Sequence, residues 1–92
     1  MSKINIDEIT KLNYEAQLRR GQIREGTNEI GFMKKIQEEF DELTAHLLNR
    51  WEIDPKELAD LTLVCFSMAQ HFGIDLVEEM RNKAEYNMIR ED

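Results

Sequence analysis

The sequence has little of what turns, cross-links or anchors a chain. Proline occurs once and glycine four times in 92 residues, too few for the many tight turns of an all-β fold. Cysteine occurs once, at Cys65, which excludes an intrachain disulfide and any multi-cysteine zinc site. No apolar run reaches the ~20 residues of a membrane-spanning helix, and the N-terminal stretch has no signal-peptide core. A cytoplasmic protein with no membrane partner is the expectation. Positive charge is also short: 12 Lys and Arg stand against 19 Asp and Glu, a net charge of −7. Nucleic-acid backbones and anionic membranes both demand a basic surface, so neither is expected as a partner.

What remains is 41% hydrophobic and 34% charged, the balance of a globular chain. Residues 1–92 are read as one domain. Its core must be thin, because a chain this short hides only roughly 60–65% of the surface it exposes unfolded. Breaks at Gly21–Gly26, Arg50–Pro55 and Gly73 divide the chain into four segments, all with helical periodicity and none with strict alternation. The first helix is expected from about Ile6 to about Arg20, with Asn5 as cap and Glu8 three residues on. The second runs from near Thr27 to near Asn49, with an apolar stripe of Ile36, Phe40, Leu43 and Leu47. The third starts at Asp54-Pro55, with Glu57 able to reach back to the cap, and runs to about His71. It is apolar almost all round between Leu58 and Phe72, so three neighbours in one small chain do not suffice to cover it. The fourth begins at Asp75, with Glu78 in its first turn, and runs to about Arg90. The expected architecture is an all-α, four-helix-bundle-like fold that oligomerises as a homodimer or homotetramer.

The acidic run Glu38-Glu39-Phe40-Asp41-Glu42 divides on a helical wheel. Glu38 and Asp41 point away from the apolar stripe, while Glu39 and Glu42 border it at i, i+3 spacing. Lys35 and His46 share that flank. Most charge runs are solvated faces, and Lys35 offers an internal cation for this one. The third helix repeats the motif with Glu57 and Asp60. Glu57 has an alternative use as a capping residue, but Asp60 sits among Leu58, Ala59, Leu61 and Leu63, where an unpaired carboxylate is costly. An E-x-x-E and an E-x-x-D on successive antiparallel helices converge four carboxylates without His or Cys. That donor set suits Mg²⁺, with Mn²⁺ as a substitute, rather than zinc. On the fourth helix, Lys83 and Asn87 are i, i+4, as are Tyr86 and Arg90. Such a helix end is commonly just charged surface; beside a carboxylate cluster, its Lys, Arg and amide are suited to gripping phosphate oxygens.

Together these motifs resemble the MazG-like all-α nucleoside triphosphate pyrophosphohydrolases, whose signature is E-E-x-x-E on one helix and E-x-x-D on the next. Here the pattern stands as Glu38-Glu39-Phe40-Asp41-Glu42 and Glu57-Leu58-Ala59-Asp60. The later K-x-x-x-N appears as Lys83-Ala84-Glu85-Tyr86-Asn87, followed by Arg90, and the likeness spans roughly Gly31 to Arg90. The resemblance implies a MazG-type fold and Mg²⁺ held by Glu39, Glu42, Glu57 and Asp60. It also implies phosphate or sugar contacts from Lys83, Tyr86, Asn87 and Arg90. The implied reaction is hydrolysis of a nucleoside triphosphate, a dNTP or non-canonical NTP, to the monophosphate and pyrophosphate. Glu39 or Glu38 would take the water's proton, and Lys83 would stabilise the leaving group. Asp41 departs from the family pattern, and the first helix matches it only at Leu18-Arg19-Arg20-Gly21, which leaves base preference open. Three other readings stand beside this one: a phosphoribosyl-ATP pyrophosphohydrolase, a non-catalytic helical interaction module, and a family member that only binds nucleotides, against which the intact E-x-x-E and E-x-x-D pairs count.

The remaining tempting residues have plainer readings. Cys65 is expected as a small core residue, His46 as a surface residue near a helix end, and His71 as a cation at a helix C-terminus. Trp51 is expected to plug the bundle end, with stacking on a base as the other reading. Met33, Met68, Met80 and Met88 are expected in the core or an interface.

Overall fold

Local capping chemistry decides where the helices begin. In the computed structural model, which describes residues 5–91, Asn5 caps α1 (Ile6–Arg19). Its side-chain oxygen accepts from the Glu8 N–H at 2.9 Å, and its amide donates to the Glu8 carboxylate at 3.2 Å. One of the helix's free N–H groups is thereby satisfied, and the second bond ties the two side chains together. Asn28 caps α2 (Glu29–Arg50) by accepting from the Gly31 N–H at 2.9 Å. The helix starts two residues later than expected because the Thr27 hydroxyl is used in the preceding turn, accepting from the Arg24 N–H at 2.9 Å. Asp54 caps α3 (Pro55–His71), and Asp75 caps α4 (Leu76–Ile89). Among the described residues there is no strand, and no helix is long and apolar enough to cross a membrane.

α3 is the central element, with α2 packed on one side and α1 on another. The buried apolar residues are Ile23, Phe32, Val64, Phe66 and Ala69. Phe32 is 0% exposed, with its ring 4.9 Å from that of His71 and 5.7 Å from that of Phe72. His71 is not simply a charge at a helix end. Its Nδ1 lies 2.8 Å from the Tyr14 hydroxyl, so this ring joins α1 and α2 to the end of α3. A second tie is polar. Asn13 donates to Gln17 Oε1 at 3.3 Å and to Ser67 Oγ at 3.2 Å, and Ser67 in turn donates to Gln17. Gln17 and Ser67 are buried, so these partners keep their polar groups from costing free energy in the core.

Several expected core positions lie open in a single chain. On α2, Phe40 and Leu47 are exposed while Ile36 and Leu43 are half-buried. On α3, only Val64, Phe66, Ser67 and Ala69 are buried, and Leu58 is exposed. Met33, Met80 and Met88 are exposed and Met68 is half-buried. Trp51 does not plug the bundle. It is 83% exposed, at the left-handed C-cap of α2 with φ +57°. No residue of α4 is buried, and only Leu76 is even half-buried. The fourth side of a bundle is therefore not closed within one chain, and the radius of gyration is 15.0 Å, against about 12 Å for a compact domain of this length.

Two stability predictions follow from this packing. Phe32→Ala should cost about 3–5 kcal/mol, the usual range for a large buried ring, read as a fall in the urea midpoint. Trp51→Gly should be neutral or stabilising by up to about 1 kcal/mol, because glycine accepts the left-handed cap without a Cβ penalty. A large loss on Trp51→Gly would mean that the indole packs on something.

Candidate functional site

The turn at residues 51–54 brings the two acidic motifs together. The Trp51 N–H closes α2 onto the Leu47 carbonyl at 2.7 Å. Asp54 then opens α3, accepting from the Lys56 N–H at 3.0 Å, with Pro55 in the first helical turn. The chain doubles back, and the first turn of α3 comes to lie beside residues 39–42 of α2, two turns short of its end. One carboxylate oxygen from each of Glu39, Glu42 and Glu57 lies within 4.8 Å of the others. Glu39 and Glu57 are half-buried and Glu42 is exposed. Asp60 stands next to this group. It is exposed, not buried among its apolar neighbours as its sequence setting suggested. Its charge is felt by both Glu39 and Glu57, and it lines a cavity together with Glu39 and Glu42, outside which Glu57 lies.

The electrostatics of the cluster are unfavourable on their own. Burial, then the charges of Glu42 and Asp60, push Glu39 up from 4.5 to about 6. Glu57 is raised by the same causes, burial first and the Glu42 charge next. One oxygen of each, Glu39 Oε2 and Glu57 Oε2, is buried with no hydrogen-bond partner. Glu57 does not fold back as a capping-box residue. Nor does Lys35 supply a compensating cation, since its ammonium sits 3.8 Å from Glu38. Partly desolvated carboxylate oxygens beside like charges are a repulsion that an added positive charge would relieve.

The opposite wall of the cavity comes from α1 and the turn after it. Asn13, Gln17, Arg20 and Gln22 face the carboxylates across a space of about 260 Å³. Sequence reasoning did not assign these residues to the site. The available signal was the polar stripe Thr10, Asn13 and Gln17, whose three- and four-residue spacing puts neutral polar groups on one helical face.

Other sequence candidates lie elsewhere. Glu38 is exposed and held by Lys35, and Asp41 accepts from Gln37 at 2.9 Å. His46 is 3.9 Å from both Glu52 and Asp54, so it belongs to the α2–α3 turn. Burial pushes the Cys65 thiol up, which keeps it protonated and unreactive. Lys83, Tyr86, Asn87 and Arg90 do not line the carboxylate cavity. The ammonium of Lys83 lies 5.0 Å over the Tyr86 ring. Glu57 and Asp60 belong to the start of α3, whereas α4 leaves from its other end, and α4 does not pack back along α2 or α3.

Compared with known proteins, the chain matches no family model, no curated protein and no solved structure.

The raised carboxylates predict a pH dependence of defined sign. The folded pKa of Glu39, about 6, lies above its ordinary 4.5. Between these values the folded state holds more protons than the unfolded state, so this group's contribution to stability falls as pH rises. Glu39→Gln should therefore match the wild type near pH 4.5 and melt at a higher temperature above pH 6. Mg²⁺ should raise the wild-type Tm more at pH 7 than at pH 5, where protons compete with it. Equal melting of the two proteins across this range would remove the proposed charge frustration.

Proposed function

We propose that this chain is a Mg²⁺-dependent hydrolase that splits a nucleoside triphosphate into the monophosphate and pyrophosphate. The observation that carries the reading is the meeting of Glu57 of α3 with Glu39 and Glu42 of α2, with Asp60 alongside and two buried carboxylate oxygens lacking partners. Glu39, Glu42, Glu57 and Asp60 are the proposed metal-binding residues, and Mn²⁺ is an alternative ion of similar ligand preference. When bound, the metal neutralises phosphate charge and makes a water more acidic.

The chain's own groups supply the rest. Glu39 is the proposed base: it lines the cavity, and a carboxylate oxygen not given to the metal is placed to accept the water's proton. Glu38, exposed and paired with Lys35, is less well placed for that role. Arg20 stands on the cavity wall opposite the carboxylates, where a guanidinium favours phosphate oxygens. Gln22 lines the same wall and offers an amide donor and acceptor to the base or sugar, while Asn13, whose N–H groups are taken by Gln17 and Ser67, offers its carbonyl oxygen. Lys83, Tyr86, Asn87 and Arg90 remain proposed substrate contacts, with Lys83 stabilising the leaving group. Because α4 stands apart from the cavity in one chain, they would reach it through a homodimer or homotetramer.

The test is pyrophosphate release from canonical and modified nucleoside triphosphates, and from phosphoribosyl-ATP, with and without Mg²⁺. Asp60→Asn and Glu39→Ala should each lower the Mg²⁺-dependent rate about a hundredfold or more, since even groups behind a metal's ligands are worth about ten- to a hundredfold. An unchanged rate in Asp60→Asn would remove that residue from the metal site. Release from phosphoribosyl-ATP alone would move the assignment to that substrate. A folded protein with no release and no Mg²⁺-dependent Tm shift would favour a non-catalytic interaction module, a reading to which the exposed apolar residues of α4 also lend weight.

A further inference from the structure

One chain leaves several apolar surfaces uncovered, among them the α2 stripe of Met33, Phe40 and Leu47; two of the others adjoin each other. The first is a groove of about 450 Å³ between α1 and α3, walled by Ile6, Ile9, Leu58, Leu63 and Phe66. Ile6, Ile9 and Leu58 remain exposed on it. The second is α4, where Val77, Met80, Ala84 and Met88 recur at spacings of three, four and four residues, and all are exposed. Residues so spaced share one helical face. Phe66 lines both the groove and the hollow beside the first turn of α4, so the two surfaces adjoin.

The accessible surface measures how much is missing. It is 7471 Å² for a chain of 10.9 kDa, where a folded monomer of that mass exposes roughly 5,600 Å². The difference, about a third, exceeds the roughly 800 Å² per partner that a standard stable interface removes. With five buried apolar residues among the described ones, a single copy has little to hold it folded.

We infer that a second copy of this chain covers both surfaces, with α4 of each protomer seated in the α1–α3 groove of the other. A two-fold axis makes this arrangement closed: groove and α4 adjoin in each protomer, so each interface is formed twice and neither of these two surfaces is left to recruit a third copy in the same way. This deepens the oligomeric part of the proposed function by naming the element exchanged. It stands without the hydrolase reading, because it rests on apolar surface and not on the carboxylates.

The test uses the full-length chain. Sedimentation equilibrium should give at least twice the mass of one chain. Met80→Glu should raise the dissociation constant at least tenfold, because a carboxylate would have to be desolvated in the interface, while far-UV circular dichroism stays helical. To decide the point independently of that variant's folding, two Cys65→Ser proteins are mixed, one carrying Ile9→Cys and the other Met80→Cys. A short bismaleimide should then join one of each. Three results would overturn the inference. They are a folded wild-type monomer, a dimer in which no Ile9→Cys/Met80→Cys pair is captured, and an Ile9→Cys/Met80→Cys double variant that closes within one chain. Loss of pyrophosphate release in the carboxylate variants leaves all these masses unchanged, so the two proposals fail separately.

Discussion

α3 is held from two sides, and the rest of the structure depends on how it is held. Toward its C-terminal end, Phe32 of α2 and Tyr14 of α1 meet on His71. In its middle, Ser67 is bonded to Asn13 and Gln17 of α1. These two contacts are directional: tilted ring contacts with a hydrogen bond and a buried hydrogen-bond network tolerate little sliding, whereas apolar side chains alone repack at small cost. With the register set there, the N-terminal turn of the same rigid helix has one place to go. It carries Glu57 and Asp60 to the flank of α2 that presents Glu39 and Glu42.

The acidic site is thus assembled against its own electrostatic preference. Burial and neighbouring charge raise Glu39 and Glu57, and two of their oxygens have no partner. A chain with few buried apolar residues can carry such repulsion only if something else offsets it. Local disagreement of this kind, in a chain whose caps and periodicity are otherwise consistent, is characteristic of functional positions. The same thin core links the site to assembly. The apolar residues left on α4 and in the α1–α3 groove are the surface that the proposed second protomer would cover, and binding to the folded state stabilises it by mass action.

Helix number and most boundaries were legible in the residues alone. Asn5, Asp54 and Asp75 announce their helices through side-chain oxygens that accept from the N–H groups of the next turn, an interaction confined to four residues. The pairing of Glu39 with Glu42 was legible too, since it follows from helical spacing on one element. Cover was not legible. A wheel ranks Phe40, Leu47 and Leu58 as inward-facing, but whether anything lies opposite them depends on neighbours far along the chain. Trp51 illustrates the same limit: its size suggested a plug, while the left-handed turn that ends α2 aims it outward.

By itself, then, the sequence determined four helices, their caps and which carboxylates share a helical face, because each is set by contacts within about four residues. Only the tertiary structure decided that Glu57 joins Glu39 and Glu42 while Glu38 stays with Lys35. It also decided that Asn13, Gln17, Arg20 and Gln22 form the opposing wall, and that α4 finds no cover in its own chain. Those outcomes depend on where α1 and α2 cross α3, and crossing geometry is fixed by long-range packing that no local pattern encodes.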